Sequence, residues 1–208
     1  MPGSTIQSVM RAASRAAYHG GLKAAGFRRQ GNHFHRQSHD LIHAFQFQAS
    51  TGMAVPVGAF TVNLVVTAES LYRHWSGRAL PKNPATALFP INERIGLLMP
   101  QQEDRWWRAD ADVESLCLEV SHALVIWGLP FFDQFASLDV LLDRLRTGAG
   151  VRGMPSGHVK LVHAMLASDK GFASEAEQQI RQALEEAGAS LYRETVQRVA
   201  SRLGVTLP

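Results

Sequence analysis

The chain of 208 residues is poor in several features that mark particular classes of protein. Its single cysteine, Cys117, cannot form an internal disulfide, so we expect a reducing compartment and a cytoplasmic protein. No continuous apolar run approaches the roughly 18 residues that cross a bilayer, so we expect no membrane association. The N-terminal region also lacks the apolar core of a secretory signal peptide.

Acidic residues are absent from the first 39 positions. Residues 1–104 hold ten Lys/Arg against five acids, whereas residues 105–208 hold eleven against thirteen. This asymmetry is compatible with an acidic protein partner or with weak contact to nucleic acid. Because Arg28-Arg29 is the densest basic cluster, and is too small to follow a phosphate backbone, we do not expect nucleic-acid binding.

A hydrophobic content of 46% is enough for one domain with a sizeable core. Ser4 and Gln7 form a capping-box pattern, which predicts a first helix from about residue 5 to Gly26, interrupted near Gly20-Gly21. Strand-like composition or alternation follows in three segments and predicts an antiparallel meander with one apolar face. These segments are Asn32–Arg36, Leu41–Gln48 and Phe60–Thr67.

The middle of the chain predicts a long loop, two more strands and two helices. The loop covers residues 77–90, and a polar turn joins the two strands, Glu93–Met99 and Arg105–Ala109. Asp112 is suited to cap a helix that Gly128 and Pro130 should end, and Leu138–Leu145 follows as a shorter helix.

The C-terminal quarter changes in composition to helix formers. We interpret residues 1–146 as an α+β domain with a sheet of about five strands, 147–157 as a linker and 158–208 as a helical region. A second capping box, Ser174 with Glu177, predicts the start of one of its helices. This region either packs on the first domain or stands beside it.

Several short motifs follow one another in order: Leu-Lys-x-x-Gly-Phe at residues 22–27, Phe-Gln-x-Ser at 47–50, Phe-Thr-x-Asn-Leu at 60–64 and Arg-Ile-Gly at 94–96. Over about residues 15–130, this order resembles the bacterial domain of unknown function 4304 family. The resemblance implies an α+β fold and brings no established chemistry. Two features depart from the family pattern: the histidines at 33, 35, 39 and 43, and the absence of a cysteine before Arg-Ile-Gly. The matching positions are Leu22, Lys23, Gly26, Phe27, Arg28, Arg29, Gly31, Phe34, Arg36, Phe47, Gln48, Ser50, Phe60, Thr61, Asn63, Leu64, Arg94, Ile95, Gly96 and Trp107.

The histidine-rich segment is the candidate metal site. On a strand, His33 and His35 would project from one face about 7 Å apart, and His43 could supply a third zinc ligand from the next strand. His43, however, alternates with Phe45 and Phe47 and is therefore expected on the apolar face. We interpret the segment as a hairpin that carries histidines and expect no metal or other cofactor, with a metal-dependent or otherwise cryptic enzyme as the alternative.

Two sets of residues are candidates for binding. The first is a polar row formed by Arg36, Gln48, Asn63 and Arg94, which we expect on the face opposite the apolar one, together with Phe34, Gln46 and Thr61. The second is the Arg105-Trp106-Trp107-Arg108 segment. Strand alternation predicts that one tryptophan is buried, and an exposed tryptophan beside an arginine is typical of an interface anchor.

Catalytic motifs are scarce. No Gly-x-Ser-x-Gly surrounds a serine, and the glycine-rich segment at 148–153 lacks the preceding strand and the Lys-Ser/Thr of a phosphate-binding loop. We therefore favour a non-enzymatic protein-binding module and, within that class, an immunity protein that neutralises a bacterial toxin. This last choice rests on analogy with other small bacterial domains.

The histidine hypothesis predicts a measurable metal content. If His33, His35 and His43 bound zinc, purified protein would hold about one equivalent and would lose it when any one of them is changed to alanine. We expect elemental analysis of the purified protein to find no stoichiometric metal. One equivalent of zinc would favour the enzyme alternative.

Overall fold

The computed structural model describes residues 5–207 except 54, 56, 87–90, 150, 152 and 153, and it shows an α+β fold. The predicted class is confirmed. The strands are β1 (Arg28–Gln30), β2 (His33–Ser38), β3 (Leu41–Ala49), β4 (Ala59–Thr67), β5 (Ile91–Arg94) and β6 (Trp107–Arg108). The α-helices are α1 (Ile6–Ala17), α2 (Glu69–Ser76), α3 (Ile95–Leu98), α4 (Val113–Ala123), α5 (Leu129–Asp133), α6 (Leu138–Arg146), α7 (Ser156–Asp169), α8 (Ala173–Ala187) and α9 (Tyr192–Arg202).

The strands form one antiparallel sheet in the order β1-β2-β3-β4-β5. β6 also pairs with β4, at Ala59 and Phe60, whereas β5 pairs with it from Asn63 to Val66. The predicted hairpin of two further strands is therefore wrong. β5 ends at Arg94, and Ile95–Leu98 is a helical turn, so β5 and β6 each pair with β4 and not with one another.

One face of the sheet, which we call the core face, carries the large apolar side chains. Phe34 pairs with Phe45, and Phe45 with Leu64, and none of the three has measurable exposure. The opposite face, which we call the outer face, carries Ala44 and Val65 among other residues. Ala44 and Val65 pack with Ala85, and Tyr72 of α2 and Leu80 lie against this small cluster. The sequence reading had missed α2, which leads into the predicted loop.

The first helix confirms the predicted start and interruption. Ser4 lies outside the described residues, and the observed cap is Thr5, whose side chain accepts a hydrogen bond from the Ser8 N–H. A π-helical turn at Tyr18–Leu22 follows the helix, with a break in helical geometry at Gly21. Val9 and Met10 of α1 are buried in the main core.

The helix capped by Asp112 continues beyond its predicted end. After α4, a second π-helical turn (Leu124–Gly128) leads directly into α5. A β-carbon at Gly128 would lie 2.5 Å from the Phe45 ring, so this glycine admits the ring and does not end the helix. Pro130 lies in the first turn of α5, directly after the π-helical turn.

Within the described residues, the stretch Val113–Asp133 is long and apolar enough to cross a bilayer, by length and composition only. Several of its side chains, including Leu116, Val120 and Phe132, belong to the main core. A core helix of a water-soluble protein meets the same two criteria, so one such helix is weak support for a membrane span. The absence of membrane association stays a prediction.

The C-terminal helices contact the rest of the chain. α7 packs on α8, α6 and α2. His74 Nε2 lies 2.7 Å from Asp169 Oδ1, and Arg202 donates to the backbone carbonyls of His74 and Trp75, so both ends of the region bond to α2. The predicted Ser174 cap is wrong, because α8 begins at Ala173, so that Ser174 lies inside the helix, and α8 has no side-chain cap. α7 begins at Ser156, within the predicted linker, and the division into domains stays a prediction.

The burial of α1 predicts that the first helix is required for folding. Deletion of residues 1–25 should expose the core that Val9, Met10 and Ala13 cover, and the product should be insoluble. Deletion of residues 1–4 alone keeps the Thr5 cap and serves as the control. Circular dichroism of the soluble fractions checks both, and a folded, soluble 26–208 fragment would contradict the prediction.

Candidate functional site

A row of polar side chains crosses the outer face of the sheet. Gln30 pairs with His33, Gln46 with Asn63, and Asn63 with Arg94. His33 comes next to Gln46 because Phe34 pairs with Phe45, and the His33 ring accepts a hydrogen bond from the Phe47 N–H at 3.2 Å. Five strands thus each contribute one polar residue, and this polar row is the feature that the register creates.

Beside the polar row, Gln48 and Thr61 form the next pair across the sheet. The Asn63 amide donates to Gln48 Oε1 at 2.8 Å. Asn63 is only 5% exposed and Thr61 is fully buried, yet Asn63 Oδ1 and Thr61 Oγ1 have no hydrogen-bond partner among the described residues. Buried polar atoms without partners are uncommon and costly, and Arg29, His35 and Trp107 of the sheet carry others.

Arg94 joins the polar row to Trp106. The guanidinium carbon of Arg94 lies 5.0 Å from the centroid of the Trp106 ring, and Arg94 Nη1 lies 3.5 Å from Asp104 Oδ1. The indole N–H of Trp106 donates to Asp104 Oδ2 at 2.9 Å. A cation over one face and a carboxylate at the N–H therefore hold the half-buried indole in one orientation.

Gly96 allows α3 and the backbone of residues 103–105 to lie close together. A β-carbon at this position would lie 2.2 Å from the Glu103 carbonyl oxygen and 2.3 Å from the Arg105 nitrogen. Any side chain at residue 96 would therefore push the backbone of residues 103–105 away from α3. The glycine thus brings Arg94, just before α3, within reach of Trp106.

A cleft of about 530 Å³ opens at Trp106. The loop between β3 and β4, the α3 region, the segment leading to β6, and α4 all contribute to its wall. Arg105 Nη2 lies 2.6 Å from Glu119 Oε1 across it. The residues that line this Trp106 cleft are Val55, Gly96, Met99, Gln101, Glu103, Asp104, Arg105, Trp106 and Glu119.

A sequence profile described as Domain of unknown function (DUF4304) matches residues 19–134, more than half of the chain. The chain belongs to this family. The matched segment includes all six strands and the Trp106 cleft, and the helices from α6 to α9 lie outside it. No curated protein and no solved structure matches the chain significantly.

Three of the motifs that carry the resemblance to the DUF4304 family meet at the polar row and the cleft. Gln48 belongs to the Phe-Gln-x-Ser motif, Asn63 to Phe-Thr-x-Asn-Leu, and Arg94 and Gly96 to Arg-Ile-Gly. These segments are separated in sequence, and the pairing of β3, β4 and β5 brings them together. The structure thus gives the weak motifs one common location.

The structure divides the predicted Arg-Trp-Trp-Arg segment. Trp107 pairs with Phe60, is 3% exposed and belongs to the core, whereas Trp106 is half-buried and lines the cleft. One buried and one accessible tryptophan is the predicted arrangement. Arg105 lines the cleft as well, but Arg108 is not among its lining residues and forms an exposed pair with Asp110 at 2.6 Å.

Arg36 does not belong to the polar row, and neither does Phe34. Arg36 pairs with His43, so both project from the core face. Its guanidinium lies 4.8 Å from the Phe27 ring centroid and donates to the Ala25 carbonyl at 3.0 Å and to His43 Nδ1 at 3.3 Å. The predicted grouping was wrong because it required a different register between β2 and β3, and Arg36 connects elements of the fold.

The histidines do not converge either. His33 and His35 lie on the outer face, whereas His43 lies on the core face, so the three rings cannot bind one ion together. Among the described residues, no three or more His, Cys, Asp or Glu side chains are placed so that they could hold one metal ion. That the protein carries no metal stays a prediction, which the elemental analysis tests.

Some cleft residues give no signal in the sequence. Val55 and Glu119 belong to other segments than Trp106, and the structure alone places all three in the lining of one cleft. Arg94 could be found through the Arg-Ile-Gly motif, although its contact with Trp106 could not. Asp104, two residues before Trp106, was read as part of a turn.

The buried His43 predicts a pH-dependent stability. Burial is the main cause that lowers the pKa of His43 from 6.5 to about 4; its Nε2 lies 2.8 Å from the Phe135 carbonyl, and the nearby Arg36 lowers the pKa further. The neutral ring fits these contacts, since Nε2–H donates to Phe135 and Nδ1 accepts from Arg36. Burial also lowers the pKa of His33 and of His35.

Because the unfolded state binds the proton first, the stabilisation from a neutral His43 is complete above pH 6.5 and is lost as the pH falls towards 4. Between pH 7 and pH 4, the free energy of unfolding of the wild type should fall by about 3 kcal/mol more than that of the His43→Gln variant. Urea unfolding across this range measures the difference. His122→Gln, at an exposed position, is the control, and parallel curves for wild type and His43→Gln would contradict the prediction.

Proposed function

We propose that this protein is a protein-binding module whose partner docks at the Trp106 cleft. The observation that carries the proposal is the fixed, half-exposed Trp106, with Arg94 over its ring and Asp104 at its N–H. Tryptophan and arginine dominate the binding energy of many interfaces. An anchor that is already held in place loses less conformational entropy on binding, which favours affinity.

The surroundings of the cleft support the same proposal. In the loop between β3 and β4, Met53 is 93% exposed and Val57 is 74% exposed, while Val55 of this loop lines the cleft. Apolar side chains at an exposed loop beside a tryptophan form the mixture of apolar centre and polar rim that is common in interfaces. Gln48, which lies beside the polar row and accepts from Asn63, is exposed.

Within this class we propose an immunity protein that acts in the bacterial cytoplasm and neutralises a toxin by binding it. The supports are the small size of the chain, its single cysteine and the lack of a recognisable catalytic motif in the sequence. The choice among protein-binding roles rests on analogy with other small bacterial domains. The proposal expects the toxin to be encoded beside the gene for this protein.

The Trp106→Ala variant tests the proposal that a protein partner docks at the Trp106 cleft. Loss of an interface anchor costs on the order of 2 kcal/mol or more, so affinity for the partner should fall about thirtyfold. Phe172→Ala is a matched control, because Arg146 lies 4.6 Å above the 44%-exposed Phe172 ring in a similar pair outside the family match. Calorimetry with the purified partner, after circular dichroism has shown both variants folded, gives the comparison.

The partner is sought among the products of neighbouring genes, each expressed in a bacterial host with and without this protein. We expect one product to arrest growth, wild type and Phe172→Ala to restore it, and Trp106→Ala to fail. If no neighbouring product is toxic, the immunity role is wrong. If Trp106→Ala binds the partner as tightly as wild type, the interface lies elsewhere.

A further inference from the structure

The charges of the Trp106 cleft are unequal. Three carboxylates, of Glu103, Asp104 and Glu119, line it together with one guanidinium, of Arg105. That guanidinium is already 2.6 Å from Glu119, and Asp104 already has Arg94 Nη1 at 3.5 Å. Glu103 is exposed and forms no ion pair within the described part of the chain, so the cleft presents an excess of negative charge to a ligand.

Apart from Gly96 and the polar Gln101, the remaining wall of the cleft is apolar or aromatic. Met99 and Val55 are both half-buried, and they line the cleft together with the Trp106 indole and the acidic residues. A ligand group that fits this wall needs an apolar stem and a positively charged head. Arginine and lysine side chains have this construction, since their methylene stems pack on apolar surface while the head stays polar.

Other side chains fit less well. A carboxylate would approach three carboxylates and one guanidinium that already has an acidic partner, and like charges at close range are repelled. A purely apolar side chain would desolvate the Glu103 carboxylate without offering it a hydrogen bond, which is costly for an ionised group. A cation gains from both the carboxylates and the indole.

We infer that the Trp106 cleft binds an arginine or lysine side chain presented by a protein partner. This inference rests on the proposed function and adds the chemical class of the partner: a basic segment docks where Trp106, Glu103 and Asp104 meet. The charge of the cleft then selects the partner as well as holding it, because the Glu103 carboxylate, which has no ion pair among the described residues, discriminates against acidic surfaces.

Three synthetic peptides test the inference on the full-length protein: Ac-Gly-Gly-Arg-Gly-Gly-NH2 and its versions with citrulline or glutamate in place of arginine. The indole N–H resonance of Trp106, assigned through Trp106→Phe, reports binding. We expect a dissociation constant on the order of a few millimolar for the arginine peptide and about tenfold weaker binding of the isosteric, neutral citrulline peptide. The glutamate peptide should leave the resonance unchanged.

Matched variants locate the charge effect. Glu103→Gln should weaken binding of the arginine peptide about threefold. Added salt should weaken binding too, because the ion pair between Glu103 and the peptide arginine is exposed. Glu185→Gln, which removes an exposed carboxylate on α8, should change nothing. Equal binding of the arginine and citrulline peptides, preference for glutamate, or no shift with any peptide would each overturn the inference.

The two proposals fail separately. If Trp106→Ala abolishes binding of the protein partner but the protein binds the arginine peptide no more tightly than the other two peptides, the cleft is an interface but not one for a basic side chain. If the arginine peptide binds as expected and Trp106→Ala leaves partner binding intact, the cleft has the inferred chemistry and the proposed interface is wrong.

Discussion

The pairing of β4 with β3 in a single register fixes both the core and the polar row. All nine residues of β4 are buried, so each of its faces is covered. A shift of one residue would carry Leu64 to the outer face and Asn63 into the core, where its amide would be buried among phenylalanines. The apolar alternation of β4 therefore fixes the position of the polar residues.

The Trp106 cleft follows from the way in which two strands share β4. β5 and β6 pair with the same strand at different heights, so the chain between Arg94 and Trp107 must leave the sheet and return to it. α3 and the turn after it form that excursion, and Gly96 lets the returning backbone pass close to the departing one. The cleft is thus a consequence of sheet topology, and its chemistry comes from residues 94–106 together with side chains of α4 and the loop before β4.

Local patterns predict this fold better than they predict this site. Alternation within β3 and β4 correctly separated Phe45 and Leu64 from Gln46 and Asn63, because each strand carries its own period. The face of Arg36 depends instead on the register across the β2–β3 turn, where His39 adopts a left-handed backbone (φ 52°) that the sequence did not reveal. The contact of Arg94 with Trp106 depends on α3, where the sequence pattern predicts a continuous strand over Glu93–Met99.

Two arginines over aromatic rings illustrate why such a contact is not itself a sign of function. Arg36 over Phe27 donates to a backbone carbonyl and to a histidine that is 1% exposed, so its hydrogen-bonding capacity serves the fold. Arg94 over Trp106 has one acceptor within range in the described chain, on the half-exposed Asp104. Exposed ion pairs of that kind contribute little to stability. The Arg94–Trp106 pair therefore contributes less to the fold than the Arg36–Phe27 pair, which supports the proposal that it serves binding.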